Sequence, residues 1–367
     1  MSQDRLNKFR TWMAEQGVDA FLISERHNRT YLSGWFNFDV ERAGMLLVGQ
    51  GEQILLTDPR YDEAAAKEAV GWSVVVPEDR IYANAIAQAA REHNWQKIGF
   101  ESMDLLYGEY EKIQQAGDGA YTLQPFESSL LEQMRMIKEA YEIECLKKAI
   151  AITDQTFTHL CKWIEPGATE KEIEAEIYNT MLALGADSPS FSAIVAAGPN
   201  GSMPHAHPGE RPVQRGELIT IDMGARYKGY CADMTRTICL GEPAEPRVRE
   251  VYDAVLKAMK TAEAGLRAGI TLREADALAR NSLEQVGLAE RFVHSLGHGV
   301  GYQIHERPFM SRRAGEDEIL SAGSVVTVEP GVYIPGWSGA RVEDCVLITE
   351  DGCEVLTKSP TELVIQE

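Results

Sequence analysis

Leu6, Phe9, Met13 and Gln16 recur at the spacing of one helix face, Gly17 suits the C-terminal cap, and the apolar run Val18 to Ile23 reads as a buried strand. The chain then alternates. Strand-like runs at Met45 to Val48, Gln53 to Leu56, Trp72 to Val76 and Lys97 to Phe100 are separated by helical patterns such as Tyr61 to Glu68 and Ala83 to His93, which predicts an α/β domain. From Leu130 the texture changes to a long helical segment, Glu132 to Trp163, closed by Glu165-Pro166-Gly167, and a second from Thr169 to Leu184. A domain boundary is therefore expected near residue 130, dividing the chain into 1–130 and 131–367. Beyond these helices the strands pair as hairpins rich in Val, Ile and Thr, with further helices at Glu250 to Ala264 and Leu272 to Val286, so the second domain is expected to be α+β.

Two of the expected hairpins each carry two acids. Glu217 to Gly224 reads as a strand, Arg226-Tyr227-Lys228-Gly229 as a turn and Tyr230 to Cys239 as the return. A turn centred between Tyr227 and Lys228 sets Asp222 beside Asp233 on one sheet face. Like charges directly opposed across a ladder destabilise it. Ser324 to Glu329 and Arg341 to Thr349 repeat the arrangement around an irregular loop, Pro330 to Ala340, whose centre at Gly336 sets Glu329 opposite Glu343. A single strand acid is ordinarily solvated or ion-paired. Two opposed pairs among Ile219, Ile221, Val326 and Val328 are partly desolvated, and must bind protons or metal.

Between the hairpins, His294, His298 and His305 place three histidines within twelve residues of a chain that holds eight. Gly297, Gly299 and Gly301 disfavour a helix there, so the i, i+4 pair is not a helical zinc face, and the glycines suggest a close backbone approach. Their spacing is neither that of a dinucleotide fingerprint nor that of a phosphate loop. A purely structural alternative packs the histidines beneath a turn. Four acids and one imidazole form a mostly hard ligand set, suited to two divalent ions such as Mn, Co, Fe or Zn. Metals paired about 3.5–4 Å apart generate a hydroxide nucleophile and clamp a tetrahedral oxyanion.

Composition narrows the partners. The 367 residues are 44% hydrophobic and 25% charged, ordinary globular usage that argues against disorder and membrane spans. Acidic residues outnumber basic ones by 56 to 36, and the resulting charge of −20 repels nucleic acid and anionic membranes, so neither is an expected partner. The six cysteines lie beyond residue 144 with no Cys-x-x-Cys pair and read as reduced thiols. Asp4, Arg5, Lys8 and Arg10 break up any signal-like apolar stretch, which makes cytoplasmic residence the default expectation.

Five segments now share one resemblance: Ile221-Asp222-Met223-Gly224, Ala232-Asp233-Met234-Thr235-Arg236-Thr237, His294 to Pro308, Thr327-Val328-Glu329-Pro330-Gly331 and Gly339-Ala340-Arg341-Val342-Glu343-Asp344. Together they resemble the pita-bread metallopeptidases, namely methionine aminopeptidases, Xaa-Pro aminopeptidases and Xaa-Pro dipeptidases (prolidases). The resemblance implies a creatinase-type, RNase H-like α/β N-terminal domain followed by an α+β pita-bread catalytic domain. It implies that Asp222 chelates one metal, that Asp233 and Glu343 bridge both, and that His298 and Glu329 hold the other, with manganese the first choice among the divalent ions. A bridging hydroxide then attacks the peptide carbonyl, Glu329 is the proton shuttle and His305 stabilises the gem-diolate. His205, in Met203-Pro204-His205-Ala206, matches a mobile-loop histidine near the substrate, with His207 a bystander. His294 resembles the residue lining the pocket after the scissile bond, and Arg341 the arginine that orients a bridging carboxylate. On local grounds Arg341 could equally be an ion-pair partner of Asp344 or another acid. Cys231 and Cys345 share strand parity with Asp233 and Glu343, and in the family picture they are packing residues.

The N-terminal half discriminates within the family, because methionine aminopeptidases generally lack such a domain. Tyr31-Leu32-Ser33-Gly34-Trp35 resembles a segment of it. In proline-specific relatives dimerisation sets this domain against the neighbouring active site. A homodimer is therefore expected, with Trp35, Phe36 or Phe38 closing the partner's pocket unless they are ordinary core aromatics. The first reading is an Xaa-Pro aminopeptidase acting on proline-containing peptides. The alternative is an Xaa-Pro dipeptidase, which needs a cation for the substrate's terminal carboxylate, and Arg307 and Arg312 are its candidates. A metal-free creatinase-like amidinohydrolase and a non-catalytic binding protein are the remaining classes, and the intact ligand set speaks against both. An Xaa-Pro bond lacks an N–H, so proline demands a dedicated pocket; its specificity is implied by the resemblance alone.

Overall fold

The alternation of the first 130 residues folds into one mixed sheet in the structure, a computed structural model that describes residues 3–36, 42–127 and 130–365. The chain divides into two units, Met1–Arg135 and Met136–Glu367. In the first, α1 (Gln3–Glu15) buries Leu6, Phe9 and Met13, the stripe its spacing predicts. Then follow β1 (Ala20–Ile23), α2 (Arg26–Ser33), β2 (Met45–Gly49), β3 (Gln53–Leu56), α3 (Asp62–Glu68), β4 (Ser73–Val75), α4 (Tyr82–Glu92), β5 (Lys97–Glu101), α5 (Tyr107–Gly117), β6 (Thr122–Phe126) and α6 (Leu130–Met136). The six strands lie in the order β4-β3-β2-β1-β5-β6.

Three of these elements, α2, α5 and β6, carry no clear apolar periodicity. In α2 the buried residues include His27, Asn28, Arg29, Thr30 and Ser33, so a core helix is written in polar letters. Its partners are polar too. Glu101 accepts the backbone N–H groups of Ser24 and Glu25 and the Asn28 amide, and Arg135 donates to Asn28 Oδ1. Trp35 is 1% exposed, with the Arg29 guanidinium 4.8 Å from its ring centre. It is a core residue of its own unit, which removes it from the aromatics expected to close a partner's pocket. Phe36 is half-exposed, and Phe38 lies outside the described residues.

The second unit continues through α7 (Ala140–Trp163), α8 (Glu170–Ala183), β7 (Ser188–Pro189), β8 (Ile194–Ala197), β9 (Leu218–Met223), β10 (Ala225–Tyr227), β11 (Tyr230–Cys231), β12 (Met234–Leu240), α9 (Pro246–Gly265) and α10 (Leu272–Glu284). It ends with β13 (Gly297–Gly299), β14 (Glu306–Met310), β15 (Val325–Val328), β16 (Gly331–Ile334), β17 (Ser338–Arg341), β18 (Asp344–Ile348), β19 (Cys353–Val355) and β20 (Val364–Ile365). The helix expected from Glu132 to Trp163 is two helices. At the break Ile137 bridges to Ser324, Lys138 donates its N–H to the Gly323 carbonyl, and the buried Lys138 ammonium pairs with Glu306 at 2.8 Å.

Two sheets carry the acids, β20-β12-β9-β8 and β14-β13-β15-β18-β19. On β9, Ile219, Ile221 and Met223 pack with Ile152 and Phe157 of α7 and Ile173 and Ile177 of α8. On β15 and β18, Val326, Val328, Val346 and Ile348 join α9 and α10 in a second cluster. The two-residue period of a strand then turns Thr220, Asp222, Thr235, Thr327 and Cys345 to the faces away from the helices.

The register of the first hairpin differs from expectation, because Asp222 faces Thr235 rather than Asp233. The turn is the cause. Lys228 and Gly229 take positive φ angles of 46° and 80° as the two central residues, with Tyr227 paired to Tyr230, so the centre falls one residue later. A shift of two in the pairing preserves side-chain parity. In the second hairpin Val328 pairs with Asp344 and Thr327 with Cys345, the register that sets Glu329 against Glu343. Pro330 to Ala340 is not irregular, since β16 and β17 extend the same register to Ile334 and Ser338, turned at Gly336 with φ 77°. Among the described residues no helix is long and apolar enough to cross a membrane.

Gly224 separates β9 from β10, where a Cβ would lie 1.8 Å from the Ala232 carbonyl oxygen. Gly224→Ala should therefore destabilise the protein by about 3 kcal/mol. Gly108→Ala, in α5 with nothing within 4 Å of the added carbon, should instead stabilise it by about 0.5–1 kcal/mol. Urea unfolding of both variants checks the contrast, and equal midpoints would show that the Gly224 strand can move aside.

Candidate metal centre

The strand faces turned from the helices meet at a cavity of about 470 Å³. Asp222, Asp233 and Glu343 are buried and each places a carboxylate oxygen within 4.8 Å of the others. His298 Nε2 lies 3.3 Å from Glu329 Oε1 and 3.6 Å from Asp233 Oδ2. Asp222, Glu343, His298 and Glu329 are fixed from behind. Arg341 Nη2 donates to Asp222 Oδ2 at 2.6 Å, and Thr235 Oγ1 donates to Glu343 Oε2 at 2.7 Å. Thr327 Oγ1 accepts the His298 N–H at 3.0 Å and donates to Glu329 Oε1 at 3.3 Å. His298 Nδ1 lies 3.1 Å from the Gly299 carbonyl oxygen, a contact that an Nδ1–H satisfies. On a neutral ring that tautomer turns the Nε2 lone pair toward two carboxylates, an arrangement a cation between them would stabilise.

Two oxygens test whether metal fits. Asp222 Oδ1 and Glu343 Oε1 are buried with no hydrogen-bond partner among the described residues, and such a group costs about 1–3 kcal/mol. Burial, then the charges of Glu343, Asp222 and Glu329, push Asp233 well above the usual carboxylate range. Burial with Glu329 and Asp222 does the same to Glu343. Burial also raises Asp222, against the opposing pull of Arg341. At Glu329 burial is outweighed, while both imidazoles carry an extra proton, by the hydrogen bond to His298 and by the charges of His298, His294 and Arg341, which bring it to about 2; neutral rings leave only Arg341 to oppose burial. Carboxylates that repel one another around unfilled lone pairs, with one imidazole, fit hard to borderline divalent ions.

His205, His207, His294 and His305 line the same cavity, so position does not separate His205 from the expected bystander His207. The His305 ring stands 4.3 Å from that of His298, and burial followed by the His298 charge lowers its pKa. Arg341 pairs with Asp222, not Asp344, and reaches the bridging candidate Glu343 only through Thr235 Oγ1, to which its Nε donates at 3.0 Å. Asp344 is held by Arg236 at 2.7 Å. Arg307 is exposed and paired with Glu318 at 2.9 Å, and Arg312 is exposed; neither lines the cavity. The Cys231 and Cys345 thiols donate to the carbonyls of Tyr302 and Asp233. Gly297, Gly299 and Gly301 make room for protein rather than ligand, since added Cβ atoms would meet Thr327 O, Arg307 O and Glu306 Oε1 at 2.0, 2.3 and 2.3 Å.

Sequence reasoning missed Tyr333 and Thr235. Tyr333 Oη accepts from Arg341 Nη1 at 2.6 Å and lies 2.9 Å from His294 Nε2. Its signal was its place on the strand after Glu329, hidden by reading that strand as loop. Thr235 became legible only with the true register. Asp276 and Arg280 were also unforeseen; Asp276 accepts the Leu296 N–H, and Arg280 donates to the His294 carbonyl.

Residues 144–350 match the model of metallopeptidase family M24, and residues 5–137 that of the creatinase/prolidase N-terminal domain. A solved structure of an Xaa-Pro dipeptidase from Bacillus anthracis is 40% identical, covers 98% of this chain and 99% of its own, and superposes with a TM-score of 0.92. An X-Pro aminopeptidase structure from Thermotoga maritima is 35% identical with a TM-score of 0.86, covering 95% and 98%. An Xaa-Pro dipeptidase of Pyrococcus furiosus is 34% identical over 99% of this chain and 100% of its own. With a family model across more than half of its residues and such relatives along nearly its whole length, the chain belongs to metallopeptidase family M24, its catalytic domain preceded by a creatinase/prolidase N-terminal domain.

Proposed function

We propose that this metallopeptidase is an Xaa-Pro dipeptidase, the alternative above, rather than the Xaa-Pro aminopeptidase of the first reading. The dipeptidases of Bacillus anthracis and Pyrococcus furiosus support the choice, each aligned over nearly all of both chains. The observation that carries the metal-dependent hydrolase reading is that Asp222 Oδ1 and Glu343 Oε1 are buried without a partner among the described residues, in a cluster with Asp233 whose carboxylate oxygens lie within 4.8 Å of one another.

Asp222, Asp233, His298, Glu329 and Glu343 would hold two divalent ions, which supply a water acidic enough to attack at neutral pH and a Lewis acid for the scissile carbonyl. Manganese suits four oxygen donors and one nitrogen. Glu329 takes the proton of the attacking water and passes it to the departing proline nitrogen. His305, on the cavity wall beside His298, offers an N–H to the carbonyl oxygen as charge develops there. His294 walls the pocket for proline, and Arg341 holds Asp222 in position. With Arg307 and Arg312 outside the cavity, the loop imidazoles His205 and His207 are the donors offered to a dipeptide's terminal carboxylate. Cysteines in no disulfide suit a reducing cytoplasm, and the family resemblance supports a homodimer.

Manganese-loaded protein should cleave Ala-Pro faster than Ala-Pro-Ala and leave Met-Ala-Ser intact; preference for the tripeptide would restore the aminopeptidase reading. Asp233→Asn and Glu343→Gln should each lower bound metal, measured by elemental analysis, and reduce kcat at least about a thousandfold. His305→Ala should keep both ions while kcat falls about a hundredfold, and loss of the ions would make it a ligand instead. In chelated protein the folded state binds the extra protons at Asp233 and Glu343, so unfolding free energy should fall as pH rises from about 5 to 8. Thermal scans of chelated protein across that window check the sign, and Asp233→Asn should flatten the slope.

A further inference from the structure

One wall of the cavity carries a carboxylate with no place in the metal cluster. Glu174 follows Glu170 by one turn on the same face of α8. Glu170 is buried and holds the neighbouring loop, accepting the N–H groups of Ala197 and Gly209 and the Asn200 amide. Glu174 instead lines the cavity with Phe191, Ser192, Ala193 and Ile194. Its Oε1 accepts the Tyr178 hydroxyl at 2.8 Å, and that hydroxyl oxygen accepts the Ala193 N–H at 2.9 Å. The carboxylate is thus fixed by a neutral donor. Lys171 on the same helix pairs with Glu210 at 2.6 Å and feels Glu174 more weakly.

Ile194 is the register partner of Asp222 on the adjacent strand, so the lining that Glu174 shares with Ile194 adjoins the metal cluster. His294, Ile304 and Phe309 come from the other sheet's side of the cavity, where the proline is placed. The α8 wall is left for the residue before it. We infer that Glu174 is the specificity-determining residue for that first position, and that the preferred substrates are Xaa-Pro peptides beginning with lysine or arginine. The inference rests on the proposed Xaa-Pro hydrolysis. A lysine whose carbonyl lies at the cluster runs its methylenes past Ile194 and Phe191 and brings its ammonium to a carboxylate already in place. The α-ammonium is common to every substrate and cannot discriminate among them, whereas a side-chain ion pair does. The net charge of −20 favours cationic substrates as well, in a manner that salt screens.

The test is kcat/KM of the manganese-loaded full chain on Lys-Pro, Arg-Pro, Leu-Pro and Asp-Pro at about 0.15 M salt. Lys-Pro and Arg-Pro should exceed Leu-Pro about tenfold, the ratio should fall to near one in Glu174→Gln, and Glu174→Lys should turn the preference toward Asp-Pro. A ratio that Glu174→Gln leaves unchanged, including a parallel loss on every dipeptide, overturns the inference and makes Glu174 a structural or α-ammonium contact. Leu-Pro cleavage by the unmodified protein with no preference for Lys-Pro overturns the inference alone. Cleavage of none of the four overturns the proposed function and the inference with it.

Discussion

Mutual repulsion among buried carboxylates is the constraint around which the second unit is organised. Asp222, Asp233 and Glu343, all buried, and the half-buried Glu329 converge on one cavity wall, and two of their oxygens lack any partner among the described residues. Each unpartnered oxygen costs about 1–3 kcal/mol, against a net stability of about 5–15 kcal/mol for a typical domain. The groups must therefore be held by something stiffer than themselves. Ladders supply that stiffness. The helix-facing residues Ile219, Ile221, Val326 and Val328 lock each strand into an apolar cluster, and the period of two then leaves the acids no other direction to face.

The hydrogen bonds behind the acids make the same point at shorter range. Arg341 neutralises Asp222 and donates to Thr235 Oγ1, whose own proton goes to Glu343. Arg236 binds Asp344 and the Glu343 carbonyl, fixing the backbone on which Glu343 sits. Two arginines and one threonine thus orient three acids without occupying the oxygens left open on Asp222 and Glu343. A protein that wanted these acids merely soluble would have closed those positions with donors.

Much of this was legible because strand parity survives errors of register. Placing the first turn one residue early paired the wrong residues, yet Asp222 and Asp233 stayed within reach of one another, since Lys228 and Gly229 shifted the ladder by an even number. The second hairpin was read in its true register because Gly336 lies at the turn of both the expected loop and the observed β16–β17 hairpin. What stayed hidden has physical causes. The polar helix α2 is buried against Glu101 and Arg135 rather than against apolar side chains, so periodicity says nothing of it. The break at Ile137 is made by a bridge to Ser324, nearly two hundred positions away in sequence. Arg307 looked available in the sequence, and only the fold shows Glu318 beside it. Glu174 gave no signal at all, because nothing local distinguishes a carboxylate lining a cavity from one on a solvated helix face.

The hydrogen-bond chain at Tyr333 explains how an apolar substrate ring can be accepted next to so much charge. Arg341 donates to Tyr333 Oη, which leaves the phenolic proton free for His294 Nε2. His294 Nδ1 lies 2.9 Å from the Ser295 carbonyl oxygen, so that nitrogen carries the ring's proton. Burial lowers the His294 pKa further. The imidazole is therefore neutral and satisfied at both nitrogens. It contributes an uncharged ring to the cavity wall, while the positive charge of Arg341, on the same wall, is held on Asp222. In the proposed dipeptidase this is the wall that meets proline, whose tertiary amide offers no N–H to recognise. Recognition there must come from shape and desolvation, and a charged histidine would oppose both.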